Sequence, residues 1–276
     1  MSIHTAIAAF DIETVPDTEV GRRVFGFEGS FVEVAEQMLA QRLEQTDGRT
    51  DFLKPPYHRI VTISIAWLDI QLGQVRFKLD SIGEDRLDEG ALLEAFFTVL
   101  RRGGYPTLVS WNGHSFDLPV IRYRAMLHGI DASPYYAAGD KWDNYQHRYG
   151  SLHTDLMDVL ASYGGDRVGL DEMCQIIGLP GKTVTEGHRV FQHIARNEWD
   201  IVETYCELDA LNTLLLYVAW QHSTGRFDPF TFERIQTTLT EMLLADPRDD
   251  VQAYGQALRD WRPGRSRRHL AEELDS

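Results

Sequence analysis

Apolar and polar positions along the chain mark out strands and helices before any chemistry is considered. The run Ala6-Ile7-Ala8-Ala9-Phe10 reads as a strand buried on both faces. Residues 59–67 alternate and are β-branched, and Gly73 turns them into a second strand near residues 74–79, giving a hairpin. Together with the opening strand this predicts an antiparallel trio. Residues 107–111 form a short buried strand, and residues 152–156 a further one.

Helical spacing appears at Phe31, Val34, Ala35, Met38 and Leu39, and again over residues 87–102, ended by Gly103-Gly104. Residues 115–128 are helical by pattern and stop at Gly129, and residues 170–177 stop at Gly178. A long helix over residues 199–220 lacks Gly and Pro, with Asn197 as its expected N-cap and Asp200 in a capping-box position. Asp228-Pro229 opens a last helix running to about Leu244. Residues 16–29, 45–56 and 180–187 read as loops, residues 131–150 as an irregular aromatic stretch, and everything after Leu244 as a polar tail. The order predicts an α/β protein with a mixed five-stranded sheet and helices on both faces. We expect one domain over residues 1–245 and a C-terminal extension over residues 246–276.

Composition narrows the class without naming a function. Over 276 residues, 43% hydrophobic and 25% charged content is ordinary for a globular protein and excludes global disorder. Two cysteines, Cys174 and Cys206, give no disulfide framework. No signal peptide or membrane span is read, so the expectation is a soluble cytoplasmic protein. A net charge of −15 argues against a general nucleic-acid-coating protein. It leaves open an enzyme that meets phosphate through bound cations, which acidic clusters hold.

The acids themselves carry the chemistry. Asp11 and Glu13 interrupt the end of the first strand, and residues i and i+2 of a strand share a face. Two like charges side by side are costly unless a cation lies between them. Asp117 follows in Trp111-Asn112-Gly113-His114-Ser115-Phe116-Asp117, where a strand turns into a helix. Tyr205 and Asp209 stand at i and i+4 of the long helix on a face tilted toward the core, where a lone aspartate is expensive. Read singly, each has a plain alternative: solvated acids at a strand end, a helix-dipole contact for Asp117, and an ion pair of Asp209 with Arg122 or Arg124.

Taken in order, Asp11-x-Glu13, Asn112-Gly113-x-x-Phe116-Asp117 and Tyr205-x-x-x-Asp209 resemble the three motifs of the DEDD superfamily of 3'-5' exonucleases. With Thr204 five residues before Asp209 and Tyr205 four before it, the match is to the tyrosine branch. Phe10-Asp11-Ile12-Glu13-Thr14 is similar to the proofreading domain of B-family DNA polymerases. Residues 153–217 are similar to a bacterial group of stand-alone predicted exonucleases related to it. The resemblance implies a ribonuclease H-like fold and a two-metal hydrolysis of phosphodiesters from the 3' end, on single-stranded DNA. An exoribonuclease acting on RNA ends is the alternative, and a catalytically silent nucleic-acid-binding scaffold a more distant one.

Two ions roughly 3.5–4 Å apart activate a water and stabilise the leaving oxygen. Mg2+ and Mn2+ take hard oxygen ligands, and four carboxylates balance two divalent charges. By resemblance, Asp11 bridges the metals, Glu13 and Asp209 hold the one carrying the nucleophilic water, and Asp117 serves the second site. Tyr205, with an ordinary pKa near 10, positions that water instead of deprotonating it. Candidates for substrate contact are Thr14, Asn112, Phe116, Lys182 and the aromatics of residues 135–149. Asn112 reads equally as a turn cap, Phe116 as core, and the aromatics as loop packing. Asp155 and Asp158 read as structural or supporting acids. His114 and His153 make no standard zinc pattern with distant cysteines. Arg262, Arg265, Arg267 and Arg268 form a basic cluster that reads as a solvated tail or a phosphate contact.

Overall fold

The strand β1 (Thr5–Pro16) runs through the two acids and six residues beyond Phe10, the end of its apolar run. The computed structural model describes residues 5–83, 88–181 and 187–261. In chain order β1 is followed by α1 (Thr18–Phe25), α2 (Phe31–Gln45), β2 (His58–Gln71), β3 (Gln74–Ser81), α3 (Glu89–Arg102) and β4 (Thr107–Ser110). Then come α4 (Asp117–His128), α5 (Ser133–Tyr136), β5 (His153–Asp155), α6 (Leu156–Leu160) and α7 (Leu170–Ile177). The remainder is helical: α8 (Val190–Ala195), α9 (Trp199–Ser223), α10 (Pro229–Leu244) and α11 (Asp249–Asp260).

The sheet has the order β3-β2-β1-β4-β5. β1, β2 and β3 pair antiparallel, as the alternating sequence predicts, whereas β4 runs parallel to β1 and β5 parallel to β4. This is the mixed α/β arrangement expected from the order of elements. The β2–β3 hairpin closes through Leu72 and Gly73, both at positive φ (51° and 76°), as a two-residue turn of matching twist requires.

Each face of the sheet is covered by its own set of helices. Ile7 and Ala9 pack with α7, α9, α10 and α11, while Ala8, Phe10 and Ile12 pack with α3 and α4. The period-2 alternation of β1 thus divides the core into two layers. α9 is the central helix, and every residue from 204 to 218 is buried. Burial all round, not one apolar stripe, explains why its Leu, Ala and Tyr residues fall on every side of the helix.

Local expectations differ from the structure at several places, among them the short helices α5 and α6, which the sequence reading did not include. Residues 18–25, read as loop, form α1, whose polar sequence hides it; Asp17 caps it at the N–H groups of Glu19 and Val20, and Gly26 ends it at φ 71°. Asn197 does not cap α9. It lies at φ 61° and accepts a hydrogen bond from Trp199 Nε1, while Glu198 occupies the cap position and turns its carboxylate to His193 Nδ1 at 2.7 Å instead of capping the helix. Val190–Ala195, not recognised in the sequence, makes the short helix α8. The polar tail is also partly structured: α11 buries Val251, Tyr254 and Leu258, Tyr254 Oη donates to Asn212 Oδ1 at 2.5 Å, and Trp261 Nε1 donates to the Ile177 carbonyl at 2.8 Å. Among the described residues no helix is long and apolar enough to cross a membrane.

Candidate active site

The acids on β1 extend a line that begins as core. Ile7 and Ala9 pack against α9, Asp11 and Glu13 follow on the same face, and Val15 returns to apolar contact with Val202 and Tyr205. One face of one strand therefore reads apolar, acidic, apolar beneath a single helix. Asp11 and Glu13 are half-buried, whereas Tyr205, Cys206 and Asp209 on α9 are buried. A register shift between Glu13 and Thr14 adds local twist, because Glu13 pairs with Thr62 but Thr14 with Ile60.

Tyr205 and Asp209 meet across one helical turn, the tyrosine hydroxyl donating to the carboxylate. Burial pushes the Tyr205 hydroxyl far above its ordinary pKa, and the charges of Asp209, Glu13 and Asp11 add to the shift. The same three carboxylates raise the Cys206 thiol, after burial, which is the larger cause. Asp209 pairs with neither arginine considered from sequence: Arg124 is engaged with Glu89 and Asp17, and Arg122 donates Nε to the Leu118 carbonyl at 3.2 Å.

Asp117 arrives from the other layer. β4 pairs with β1 only along Ile7 to Ala9 and then turns away at Trp111, which uncovers the β1 edge at Ile12. Asp117, the first residue of α4, accepts the Ile12 N–H from that edge and so stands between the levels of Asp11 and Glu13. Burial, with the nearby Asp155 carboxylate as a smaller cause, raises its pKa to about 7. The site thus lies where β1 outruns its parallel neighbour, at the carboxyl ends of both strands, where ligands of open α/β sheets bind.

Asp155 has a supporting part. Its Oδ1 and Oδ2 accept the N–H groups of Asn112 and His114, both at 2.9 Å, and this fixes the turn that delivers Asp117. Asn112 lies at φ 66°, and its carbonyl accepts the N–H groups of Ser115 and Phe116. Phe116 packs its ring against Phe52 and His58, and His58 Nδ1 lies 2.8 Å from Thr14 Oγ1, so Thr14 and Phe116 are joined through one imidazole. Asp158 is held by Arg148 and Arg167. His114 and His153 stack 6.2 Å apart, and His153, pushed down to about 3 by burial, hydrogen-bonds Ser110 Oγ at 2.9 Å.

In the aromatic stretch Tyr135 and Tyr145 are core, stacked 5.7 Å apart, whereas Tyr136, Trp142 and Tyr149 are exposed. Lys182 and the cluster Arg262, Arg265, Arg267 and Arg268 lie outside the described residues.

A divalent cation fits this arrangement. Ligand atoms of Asp11, Glu13 and Cys206 all lie within 4.8 Å of one another, and Asp117 and Asp209 stand outside that group. The carboxylate oxygens suit a hard ion, and the negative charge of Asp11, Glu13 and Asp209, which raises both Tyr205 and Cys206, is what such an ion would offset. Cys206 is the member that sequence reasoning passed over. Fully buried, its Sγ lies 3.4 Å from the Asp11 carbonyl and 3.6 Å from Asp11 Oδ2. Its position next to Tyr205 on a helix buried all round was the available signal. Gly187 closes the same corner, where a Cβ would stand 3.4 Å from Tyr205 Oη.

Comparison with known proteins agrees with the motifs. Residues 50–258 match the family described as a predicted 3'-5' exonuclease related to the exonuclease domain of PolB. That span includes Asp117, Tyr205 and Asp209 and begins after Asp11 and Glu13. Among solved structures the chain is similar to the family B DNA polymerase from the hyperthermophilic archaeon Pyrobaculum calidifontis, at 16% identity and a TM-score of 0.49. The alignment covers 91% of this chain and 27% of the polymerase. No curated protein matches the chain. It belongs to the family of predicted 3'-5' exonucleases related to the exonuclease domain of PolB.

Proposed function

We propose that the protein is a 3'-5' exonuclease of the tyrosine branch, hydrolysing single-stranded DNA from its 3' end with two divalent ions, Mg2+ or Mn2+. The observation that carries this reading is the convergence of Asp11 and Glu13 from β1, Asp117 at the Ile12 N–H, and the Tyr205–Asp209 pair on α9. Asp11, Glu13, Asp117 and Asp209 would hold the metal. When bound, the ions supply an activated water and stabilise charge on the leaving 3'-oxygen.

The chain's own groups do the rest. Tyr205, its hydroxyl kept protonated by burial and by the neighbouring carboxylates, orients the attacking water by hydrogen bonding and does not serve as the base. Asp209 accepts from that hydroxyl and fixes its direction. Asp155 holds the turn that sets Asp117 in place. Water adds to phosphorus, the P–O3' bond breaks, the 3'-oxygen leaves as a hydroxyl, and a nucleoside 5'-monophosphate is released.

The test is degradation of end-labelled single strands of DNA and of RNA with Mg2+ or Mn2+, alongside Asp209→Ala. Release of 5'-mononucleotides from the 3' end, abolished by chelator and by Asp209→Ala, is expected. Release from the 5' end, or activity unaffected by the substitution, would overturn the proposal. Faster loss of RNA than of DNA would transfer the reading to an exoribonuclease, since the site residues do not read the 2'-hydroxyl.

A further inference from the structure

A polar row crosses the sheet beside the acid centre. Asp11 of β1 pairs with Ser64 of β2, and Ser64 with Ser81 of β3, so the three side chains stand abreast on the face that α9 covers. The adjacent row on that face, Ala9, Ala66 and Leu79, is apolar throughout and packs into the core. α9 closes the polar row with two consecutive residues. Cys206 Sγ, already placed beside Asp11, also hydrogen-bonds Ser64. Glu207 Oε1 accepts the N–H and the hydroxyl of Ser81 at 3.1 and 3.0 Å, and Ser81 Oγ lies 2.9 Å from Ser64 Oγ. Ser64, Cys206 and Glu207 are all buried.

The row is held from outside the sheet, in the turn between α10 and α11. There Arg248 donates Nη1 to Glu207 Oε2 at 2.6 Å. Its guanidinium is aimed by Asp246, whose two carboxylate oxygens accept Nε and Nη2, each at 2.9 Å. An unbroken run of side-chain contacts thus leads from Arg248 to Asp11, and the far end sets its direction. A carboxylate only accepts, so Ser81 gives its one hydroxyl proton to Glu207, and Ser64 gives its own to Ser81. That leaves the Cys206 thiol as the donor at its contacts with Ser64 and Asp11.

An ion pair beneath a central helix is a poor device for stability, because apolar residues of similar volume often do as well or better. What this one supplies is geometry. Residues two apart on a helix project roughly 200° from one another. Glu207 stands two residues after Tyr205 and two before Asp209, and so points away from both. Anchored at β3, it fixes the rotation of α9 about its own axis, and with it the place of Tyr205 and Asp209 over β1.

We propose that Glu207 and Arg248 are positioning residues for the acid centre: the turn between α10 and α11 sets the rotation of α9 and, through Ser81, Ser64 and Cys206, the place of Asp11 beneath it. The inference rests on the exonuclease reading above and makes the last two helices, beyond the third motif, part of the working centre.

The first measurement needs no hydrolysis. Mn2+ binding to the full chain, followed by the electron paramagnetic resonance signal of the free ion, is expected to weaken about tenfold in Glu207→Gln and in Arg248→Met, which break one link from its two sides. On a single-stranded DNA 12-mer in saturating Mn2+, kcat should fall about tenfold with KM unchanged. Arg248→Lys keeps a cation at Glu207 and should recover most of both losses. Glu207→Gln is isosteric and keeps an acceptor for Ser81, so it carries the comparison if Arg248→Met fails to fold. Variants that unfold at lower urea yet bind Mn2+ and turn over as the wild type assign the pair to stability alone and overturn the proposal. A loss that Arg248→Lys does not lessen also overturns it. A wild type that neither binds Mn2+ nor cleaves defeats the exonuclease reading, and deuterium exchange in chelator then decides the coupling alone. Faster exchange of the β1 amides around Asp11 in Glu207→Gln, with α3 and α4 at wild-type rates, sustains the coupling, and unchanged exchange overturns it.

Discussion

Two clusters of buried acid lie within the same fold and are compensated in opposite ways. In the first, Asp17 and Glu89 share Arg124, which donates Nη1 to Asp17 Oδ2 at 2.5 Å and Nε to Glu89 Oε1 at 2.7 Å, with a further bond from Nη2 to Glu89 Oε2. Glu89 also takes the Ile60 N–H at 2.7 Å and His128 Nε2 at 2.8 Å. That cluster ties β2, α3, α4 and the start of α1 together, with both carboxylates engaged by one guanidinium and by further hydrogen bonds. In the second, Tyr205 and Cys206 are acted on by Asp11, Glu13 and Asp209, all of one sign, and Asp117 is raised by burial and by Asp155. An arginine joins the acids of the first cluster to the fold, whereas the like-charged acids gathered at the strand end are what the proposed divalent ions would offset.

The largest effect should come from breaking the closed cluster. Arg124→Met leaves two buried carboxylates uncompensated and should cost about 3–5 kcal/mol of stability, measured by urea unfolding. In the open cluster the same kind of change should act on turnover instead. Asp11→Asn should lower hydrolysis about 1,000-fold, roughly 4 kcal/mol of transition-state stabilisation, with unfolding free energy unchanged or raised as repulsion is relieved. If it destabilises the fold as Arg124→Met does, the distinction between the clusters collapses. Tyr205→Phe keeps the ring and removes the hydroxyl, and a loss of about 10–100-fold confined to kcat is expected for a positioning group. A change confined to KM would assign the hydroxyl to substrate binding.

The smallest effect concerns pH in chelator. Asp117 titrates near 7 when folded and near 3.9 when unfolded, so the folded state holds the extra proton between those values. Its contribution to stability is fully present below about pH 4 and is lost as pH rises through 7. His153, pushed down to about 3 by burial, acts in the opposite sense, its contribution being lost as pH falls from about 6.5. The informative quantity is therefore the difference between wild type and Asp117→Asn in thermal unfolding from pH 4 to 8. That difference should slope across the window and flatten above it.

These contrasts also show which features could be read from sequence. Asp11 and Glu13 were legible because a period of two puts them on one face whatever surrounds the strand. Tyr205 and Asp209 were legible for the corresponding helical reason. The partners of Arg124 were not, because Asp17 and Glu89 lie 107 and 35 residues away and no local pattern joins them. α1 escaped for a related reason: its few apolar residues make no clear stripe, and Asp17 caps the helix while also meeting Arg124. The buried side of α11 was visible as Val251, Tyr254 and Leu258, but its polar surroundings concealed it.

The sequence by itself determined the order of the five strands and of the main helices between them, the antiparallel trio, and which face each acid would take, because these follow from backbone periodicity and turn chemistry. Only the tertiary structure decided that β4 would stop short and free the Ile12 N–H for Asp117, that Asp155 would fix the intervening turn, and that Cys206 would stand beside Asp11. Those relations depend on where parallel strands end and how a helix lies across them, and packing over long sequence separations sets both.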